Sequence, residues 1–133
     1  MSANYYELLK SGAFCGKGGG GGNAKNYMTS GIEVGTIDIN GIEVDNPYRL
    51  RTIDFVDLEP GTYTIYYTSD LYVIAFRYDM EGTFIERFGY GFQSVPLSFT
   101  VTESQKFRFA FNSESGTQSL SPTDMKNLIL LKN

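Results

Sequence analysis

The stretch KFRFAFN, residues 106–112, decides the class of fold because apolar side chains alternate along it with polar or small ones. Successive side chains of a β-strand point to opposite faces of the sheet, so Phe107, Phe109 and Phe111 share one face. This period of two predicts a half-buried strand whose phenylalanines lie in the core. The opposite face of the strand carries Lys106, Arg108, Ala110 and Asn112.

Two further stretches, TYTIYYT at residues 62–68 and LSFTVT at residues 97–102, have a similar alternation. Each places its core-forming apolar side chains on one face and hydroxyl-bearing side chains on the other. We therefore expect both strands to bury one face against the same core. The residues predicted to point inward are Tyr63, Ile65, Tyr67, Leu97, Phe99 and Val101.

The stretch LYVIAFRYD, residues 71–79, is interpreted in the same way. Its period of two predicts one apolar face and one face of small and polar side chains. The inward residues are predicted to be Tyr72, Ile74, Phe76 and Tyr78, and the outward residues Val73, Ala75, Arg77 and Asp79.

From Ile32 onward, β-branched and aromatic segments are separated by turn residues such as Asn40-Gly41 and Pro60-Gly61. No stretch of useful length has a helical period, so the body is predicted to be an all-β antiparallel sandwich of about eight strands. The candidate strands are residues 32–38, 49–55, 62–68, 71–79, 83–88, 97–102, 106–112 and 128–132.

Residues 1–31 have a different texture and are predicted to form an N-terminal anchor and linker before the sandwich of residues 32–133. A short helical turn or arm would place four apolar side chains on one side, although so short a helix would order only against a partner. Seven of the eleven residues from Gly12 to Gly22 are glycine, which predicts a tether. The predicted docking residues are Tyr5, Tyr6, Leu8 and Leu9.

Composition and charge exclude several classes of function. The chain has no histidine and a single cysteine, which excludes Ser-His and Cys-His nucleophilic systems and the usual imidazole or cysteine-cluster metal sites. Residues 1–31 carry a formal charge of +2, so the net charge of −4 leaves −6 on the remainder, which argues against nucleic acid as a partner. The longest apolar run, Leu71 to Phe76, is too short to cross a membrane. We expect no enzyme activity, no cofactor and no metal.

Carboxylates leave one catalytic alternative open, that of a small glycosidase using a pair of acids. Most of the available carboxylates lie at predicted strand ends or turns, where solvated acids are ordinary. The candidates are Asp54, Asp57, Asp79, Glu81 and Glu86.

Arginines among small residues suggest a ligand surface. Arginine forks and tyrosine faces suit hydroxyls, carboxylates and sugar rings, and neighbouring strands would bring these side chains into one shallow groove. Cross-strand salt bridges to Asp or Glu are the alternative. A second candidate is the loop FGYGFQ, which would present an aromatic pair between glycines. The predicted ligand-binding residues are Arg51, Arg77, Arg108, Tyr66, Tyr90 and Phe92.

The order RLRTIDF, PGTYTI, YVIAFRYD, KFRFAF and SPTDMKNLILL resembles the carbohydrate-binding-module-like jelly rolls of phage tail and other virion proteins. The resemblance covers most of residues 32–133. It implies a jelly-roll-like sandwich in a head fibre, decoration or tail component of a virion, attached to other virion proteins through residues 1–31. It also implies a glycan ligand and a homo-oligomer, for example a trimer. The alternative is an oligomer-assembly module without a ligand, whose arginine groove is filled by a neighbouring subunit.

Overall fold

The computed structural model describes residues 25–68, 70–88, 91–113 and 120–133. Over these residues the chain forms twelve strands and one 3₁₀ helix, Pro122–Asn127, with no α-helix. No helix in this part of the chain is long and apolar enough to cross a membrane. The strands are β1 Ile32–Val34, β2 Thr36–Ile37, β3 Glu43–Val44, β4 Arg49–Thr52, β5 Val56–Leu58, β6 Gly61–Tyr66, β7 Tyr72–Tyr78, β8 Phe84–Arg87, β9 Gln93–Ser94, β10 Leu97–Val101, β11 Gln105–Asn112 and β12 Ile129–Lys132.

The larger sheet is antiparallel and is built around β11, the strand that contains KFRFAFN. Its order is β1-β4-β11-β7-β8, with β5 also pairing with β11 and β9 also pairing with β7. The register runs from Lys106 opposite Tyr78 to Asn112 opposite Tyr72, so β11 and β7 pair over almost their whole length.

The smaller sheet has the order β10-β6-β12 and packs against one face of the larger sheet. Side chains from both sheets form one buried cluster, in which Phe107 and Phe109 of β11 meet Tyr63 of β6 and Phe99 of β10. Burial of these rings is the main force that holds the layers together. The predicted all-β antiparallel sandwich is confirmed.

All eight predicted strands coincide with observed ones, but the sequence interpretation joined β1 to β2 and missed three short strands, β3, β5 and β9. The interpretation of β7 was wrong about its faces. Val73 and Ala75 lie in the core between the sheets, whereas Ile74 and Phe76 lie on the opposite face in a second buried cluster. Both faces of β7 are covered, so its period of two could not show which face meets the smaller sheet.

The cover on that opposite face is a small hairpin made by residues 36–44, in which β2 pairs with β3. Ile37 is buried against Ile74 and Phe76, and the hydroxyl of Tyr78 donates a hydrogen bond to the Gly41 carbonyl at 2.9 Å. The turn requires glycine because the φ of Gly41 is 78° and an added Cβ would lie 2.4 Å from the Phe84 ring. The hairpin is therefore a third layer over the larger sheet.

Residues 25–31 pack on the sandwich, so the predicted boundary at residue 31 falls inside a packed segment. The Tyr27 amide donates to the Leu130 carbonyl at 2.8 Å, and the Asn26 Oδ1 accepts from the Leu130 amide at 3.0 Å. The Tyr27 ring also stands edge-on to Tyr63, with 5.3 Å between the ring centroids. Asn26 and Tyr27 therefore belong to the packed body.

Candidate functional site

Two of the predicted ligand-binding arginines lie together beneath the hairpin. Arg51 of β4 pairs with Ala110 of β11, which places it on the same face as Arg108. The Glu43 carboxylate on the hairpin reaches both side chains, with its Oε2 2.8 Å from Arg108 Nη2 and its Oε1 3.5 Å from Arg51 Nη2. The arginines thus hold the hairpin on the sheet.

Arg51 is fixed by acceptors from three segments. Its Nε donates to Glu33 Oε2 at 2.7 Å, and its Nη1 donates to the carbonyl oxygens of Thr36 and Val44 at 3.2 and 3.3 Å. Gly35 lies against the guanidinium, since a Cβ added there would lie 2.6 Å from Nη1. A ligand would have to displace Glu33 or Glu43 from the guanidinium.

Arg108 is more deeply placed, with its side chain 9% exposed. Besides Glu43, its Nη2 donates to the Thr52 carbonyl, and the Ile53 carbonyl lies 3.5 Å away. Among the described residues, Arg108 Nε has no hydrogen-bond partner although it is buried. This arrangement fits the salt-bridge alternative of the sequence interpretation, and ligand binding by Arg51 and Arg108 stays a prediction.

Arg77 points to the other face of the sheet, away from Arg51 and Arg108. It pairs with Phe107 across β7 and β11 and therefore faces the smaller sheet at one end of the core. Its guanidinium binds the Glu86 carboxylate, donates to Gln105 Oε1 at 3.0 Å and lies 6.0 Å from the centre of the Phe88 ring. The expected groove with all three arginines is not formed.

Tyr66 lies on the outer face of the smaller sheet, and this surface is rich in hydroxyl groups. Thr62 Oγ1 is 3.2 Å from Thr100 Oγ1, and Thr64 Oγ1 is 2.8 Å from Ser98 Oγ. These five residues, which we call the hydroxyl face, alternate with the core-facing side chains of β6 and β10, and Thr64 at its centre is itself buried, at 5% exposed. The surface carries no charged group on these strands.

The remaining predicted site residues divide between a packing role and the part of the chain that is not described. Phe92 packs against the second buried cluster, and the Arg49 guanidinium lies 4.8 Å from the centre of its ring. Phe92 therefore helps to cover the face of the larger sheet that the hairpin also covers. Tyr90 and the docking residues Tyr5, Tyr6, Leu8 and Leu9 lie outside the described residues.

Three of the five carboxylates considered for a glycosidase are held in separate structural roles. Asp57 pairs with Lys106 at 3.0 Å, Glu86 pairs with Arg77, and Asp79 Oδ1 accepts the amides of Glu81 and Thr83 at 2.9 Å in a turn. Within residues 25–68, 70–88, 91–113 and 120–133, no group of three or more His, Cys, Asp or Glu residues could hold a metal ion. The glycosidase alternative stays a hypothesis.

A cleft of about 300 Å³ opens where the described chain begins. Its two carboxylates are paired: Lys106 binds Asp57 at the rim, and Lys132 binds Glu59 at 2.9 Å. The Lys25 ammonium lies 4.6 Å from the centre of the Tyr27 ring. The hydrogen bond and charge of Lys132 hold the pKa of the Glu59 carboxyl below its ordinary value, and the same hydrogen bond raises the pKa of Lys132. The residues around the cleft are Lys25, Tyr27, Asp57, Leu58, Glu59, Met80, Ser104 and Gln105.

The sequence interpretation missed an exposed apolar surface on the hairpin. Ile39 and Ile42 at the hairpin tip are 63% and 60% exposed. The signal was present in TIDINGIEV, where isoleucine and valine flank the Asn40-Gly41 turn. We call Ile39 and Ile42 the apolar tip. Large apolar groups gathered at one exposed place commonly mark an interaction site.

Comparison with protein-family models, with curated proteins and with solved structures finds no match for this chain.

Proposed function

We propose that this chain is a non-catalytic structural protein of a virion, in which the sandwich is displayed and the apolar tip contacts another protein of the particle. The observation that carries the proposal is that the hairpin is fixed to the sheet and yet exposes Ile39 and Ile42. A rigid support lowers the entropy lost when a surface binds, because the side chains are already placed.

The contact role is supported by the directions in which the side chains of the hairpin point. Ile37 and Glu43 face the sheet and hold the hairpin, whereas Ile39 and Ile42 face solvent. Burying one isoleucine side chain that was fully exposed is worth roughly 1.5–3 kcal/mol, so two of them can anchor a modest interface. Nothing in the packing of the hairpin itself requires isoleucine at these exposed positions.

The virion setting is supported by the resemblance of the strand order to virion jelly rolls and by the composition of residues 1–31. That segment combines apolar residues near its start, a glycine run and a charge opposite to that of the body. We assign it the role of holding the chain to other virion proteins. Display of many copies on one particle would make weak contacts effective through avidity.

The experiment compares purified virions carrying three variants of the chain. We expect deletion of residues 1–24 to abolish incorporation, and the double variant Ile39→Asn/Ile42→Asn to reduce it while the melting temperature stays near that of the wild type. Ile85→Asn is the matched control, because Ile85 is also exposed, at 43%, but lies on β8, outside the hairpin. Incorporation unaffected by both the deletion and the double variant would overturn the proposal, as would absence of the chain from virions by mass spectrometry.

Glycan binding is the second candidate, and the hydroxyl face is the observation that favours it. An uncharged, hydroxyl-rich sheet surface with a tyrosine at one end offers hydrogen-bonding groups and a ring to a sugar. On a multivalent glycan array, Tyr66→Ala should then lose binding, whereas Tyr48→Ala, a change at an exposed tyrosine outside this face, should keep it. Equal binding by both variants would place any glycan site elsewhere.

A further inference from the structure

Strand β10 is an edge of the smaller sheet. The directions in which its backbone N–H and C=O groups point follow from one hydrogen bond on the β12 side of β6. The Asn133 amide donates to the Thr62 carbonyl at 2.7 Å, so the polar backbone groups of Thr62 point toward the β12 side of β6. Backbone groups alternate along a strand, so those of Tyr63 point toward β10. Phe99 faces Tyr63 in the register and is therefore bonded to β6.

The two residues beside Phe99 then point their backbone groups outward. Ser98 and Thr100 direct their N–H and C=O groups away from β6, and both side chains are exposed. Among the described residues, no strand pairs with β10 on that side. Unpaired backbone groups in a row form a ready template for another strand.

Most of the other sheet edges have a protection that β10 lacks. The edge of β12 is covered by the backbone of Tyr27 and the side chain of Asn26. The edge strands of the larger sheet carry charges, with Glu33 on β1 and Glu86 and Arg87 on β8. By contrast, residues 95–102 contain no charged residue at all. Charges on edge strands oppose pairing with another chain. Strand β9 is also uncharged but has only two residues, so β10 is the longer edge left open among the described strands.

We infer that β10 pairs antiparallel with β10 of a second copy of this chain, about a two-fold axis at Phe99. Ser98 would lie opposite Thr100 of the partner subunit, and the symmetric pair would repeat the contact, which gives four backbone hydrogen bonds. The two smaller sheets would then form one six-stranded sheet with a continuous hydroxyl face. This pairing deepens the proposed assembly role and rests on it.

A second copy fits this edge because the pattern is self-complementary. The outward groups lie at two positions symmetric about Phe99, so one register satisfies all of them without leaving a buried polar group. The side chains brought together are serine and threonine, which form favourable cross-strand pairs without the desolvation of a charge. An interface of this length is small, so we expect the dimer to be weak and to dissociate when the protein is diluted.

The test uses two matched double variants of the full chain in analytical ultracentrifugation over a concentration series. In Ser98→Lys/Thr100→Lys, like charges face each other across the axis, whereas in Ser98→Lys/Thr100→Glu each introduced lysine faces an introduced glutamate. Both variants lose the same hydroxyl contacts to Thr62 and Thr64, so any general effect on folding is shared. We expect the wild type to dimerise, the lysine pair to weaken dimerisation by about tenfold, and the lysine–glutamate pair to restore it at low salt.

Hydrogen exchange supplies a second readout. The amides of Ser98 and Thr100 should become protected as the concentration rises, while exchange at Ile39 and Ile42 stays unchanged. A chain that is monomeric at all concentrations would overturn the inference, as would equal association by the two double variants. Dimerisation only after deletion of residues 1–24 would also overturn it for the full chain. Virion incorporation is measured separately, so a failure of the proposed function and a failure of this pairing give different results.

Discussion

Glu43 on the hairpin and Arg108 at the centre of the larger sheet form an ion pair with 2.8 Å between Oε2 and Nη2. The two side chains differ in environment, because Arg108 is 9% exposed and Glu43 is 47% exposed. A nearly buried guanidinium without a counter-charge is costly, so Glu43 stabilises the sheet as well as the hairpin.

We expect Glu43→Gln to lower the free energy of unfolding by about 1–3 kcal/mol, less than for a fully buried pair because Glu43 is half in solvent. Urea denaturation measures this change. Asp57→Asn is the matched control, since Asp57 pairs with Lys106 at a site where the aspartate is 66% exposed, and it should cost less than about 1 kcal/mol. Equal losses in the two variants would contradict the supporting role of Glu43.

Gly41→Ala should destabilise the protein because the backbone there has a φ of 78° and the new Cβ would press on the Phe84 ring. The expected loss in the free energy of unfolding is about 1–3 kcal/mol. Gly91→Ala is the control, since an added Cβ at Gly91 meets nothing within 4 Å and Gly91 has no positive φ. A Gly41 variant as stable as the Gly91 variant would show that the turn can relax.

Phe109→Ala tests the strand that decides the fold. Phe109 is fully buried between the sheets and its ring packs on those of Phe99 and Phe107. Its removal should cost about 3–5 kcal/mol, through lost apolar burial and the cavity left behind. Phe55→Ala, at a ring that is 38% exposed, should cost clearly less in the same denaturation experiment.

Stability should fall in alkali, partly through Tyr78. Burial raises the pKa of the Tyr78 hydroxyl above its ordinary value of 10.0, although the nearby Arg108 charge acts in the opposite direction. Since the folded-state pKa is the higher one, the stabilisation is complete below pH 10.0 and is lost as the pH rises through the folded-state pKa.

Tyr78→Phe removes the ionisable hydroxyl and, with it, the hydrogen bond to the Gly41 carbonyl. The lost hydrogen bond should lower the free energy of unfolding by about 1 kcal/mol at neutral pH. The difference in stability between wild type and variant should therefore narrow above pH 10.0 in denaturant titrations at increasing pH. A constant difference across that range would show that Tyr78 does not contribute to the alkaline loss. Burial also raises the pKa of Tyr63, so the variant should keep part of the pH dependence.

Strand positions were predictable because alternation is a local property. Phe107, Phe109 and Phe111 point into the core as their spacing predicts. In β7, however, both faces are buried, because a hairpin distant in sequence covers the second face. The buried residues are Val73 and Ala75 on one face and Ile74 and Phe76 on the other. Local spacing separates two faces but does not tell which partner each one meets.

The candidate site was less predictable for the same reason. Arg77 and Arg108 have similar sequence surroundings, because each is separated from an alanine by one residue. They nevertheless lie on opposite faces of one sheet. The partner that holds Arg108 comes from β3, which has two residues and therefore shows no period. Serine and threonine on β10 gave no signal of the proposed pairing, because side-chain patterns do not show the backbone groups of an edge strand.

The central place of β11 has a consequence for synthesis on the ribosome. Strands β4, β5 and β7 emerge early, but the strand that joins them lies at residues 105–112, and β12, which completes the smaller sheet, comes later still. Until then the nascent chain holds apolar strands whose pairing edges are open. Folding of this body is therefore a late, long-range event with slow kinetics, and interrupted translation would release fragments prone to aggregate.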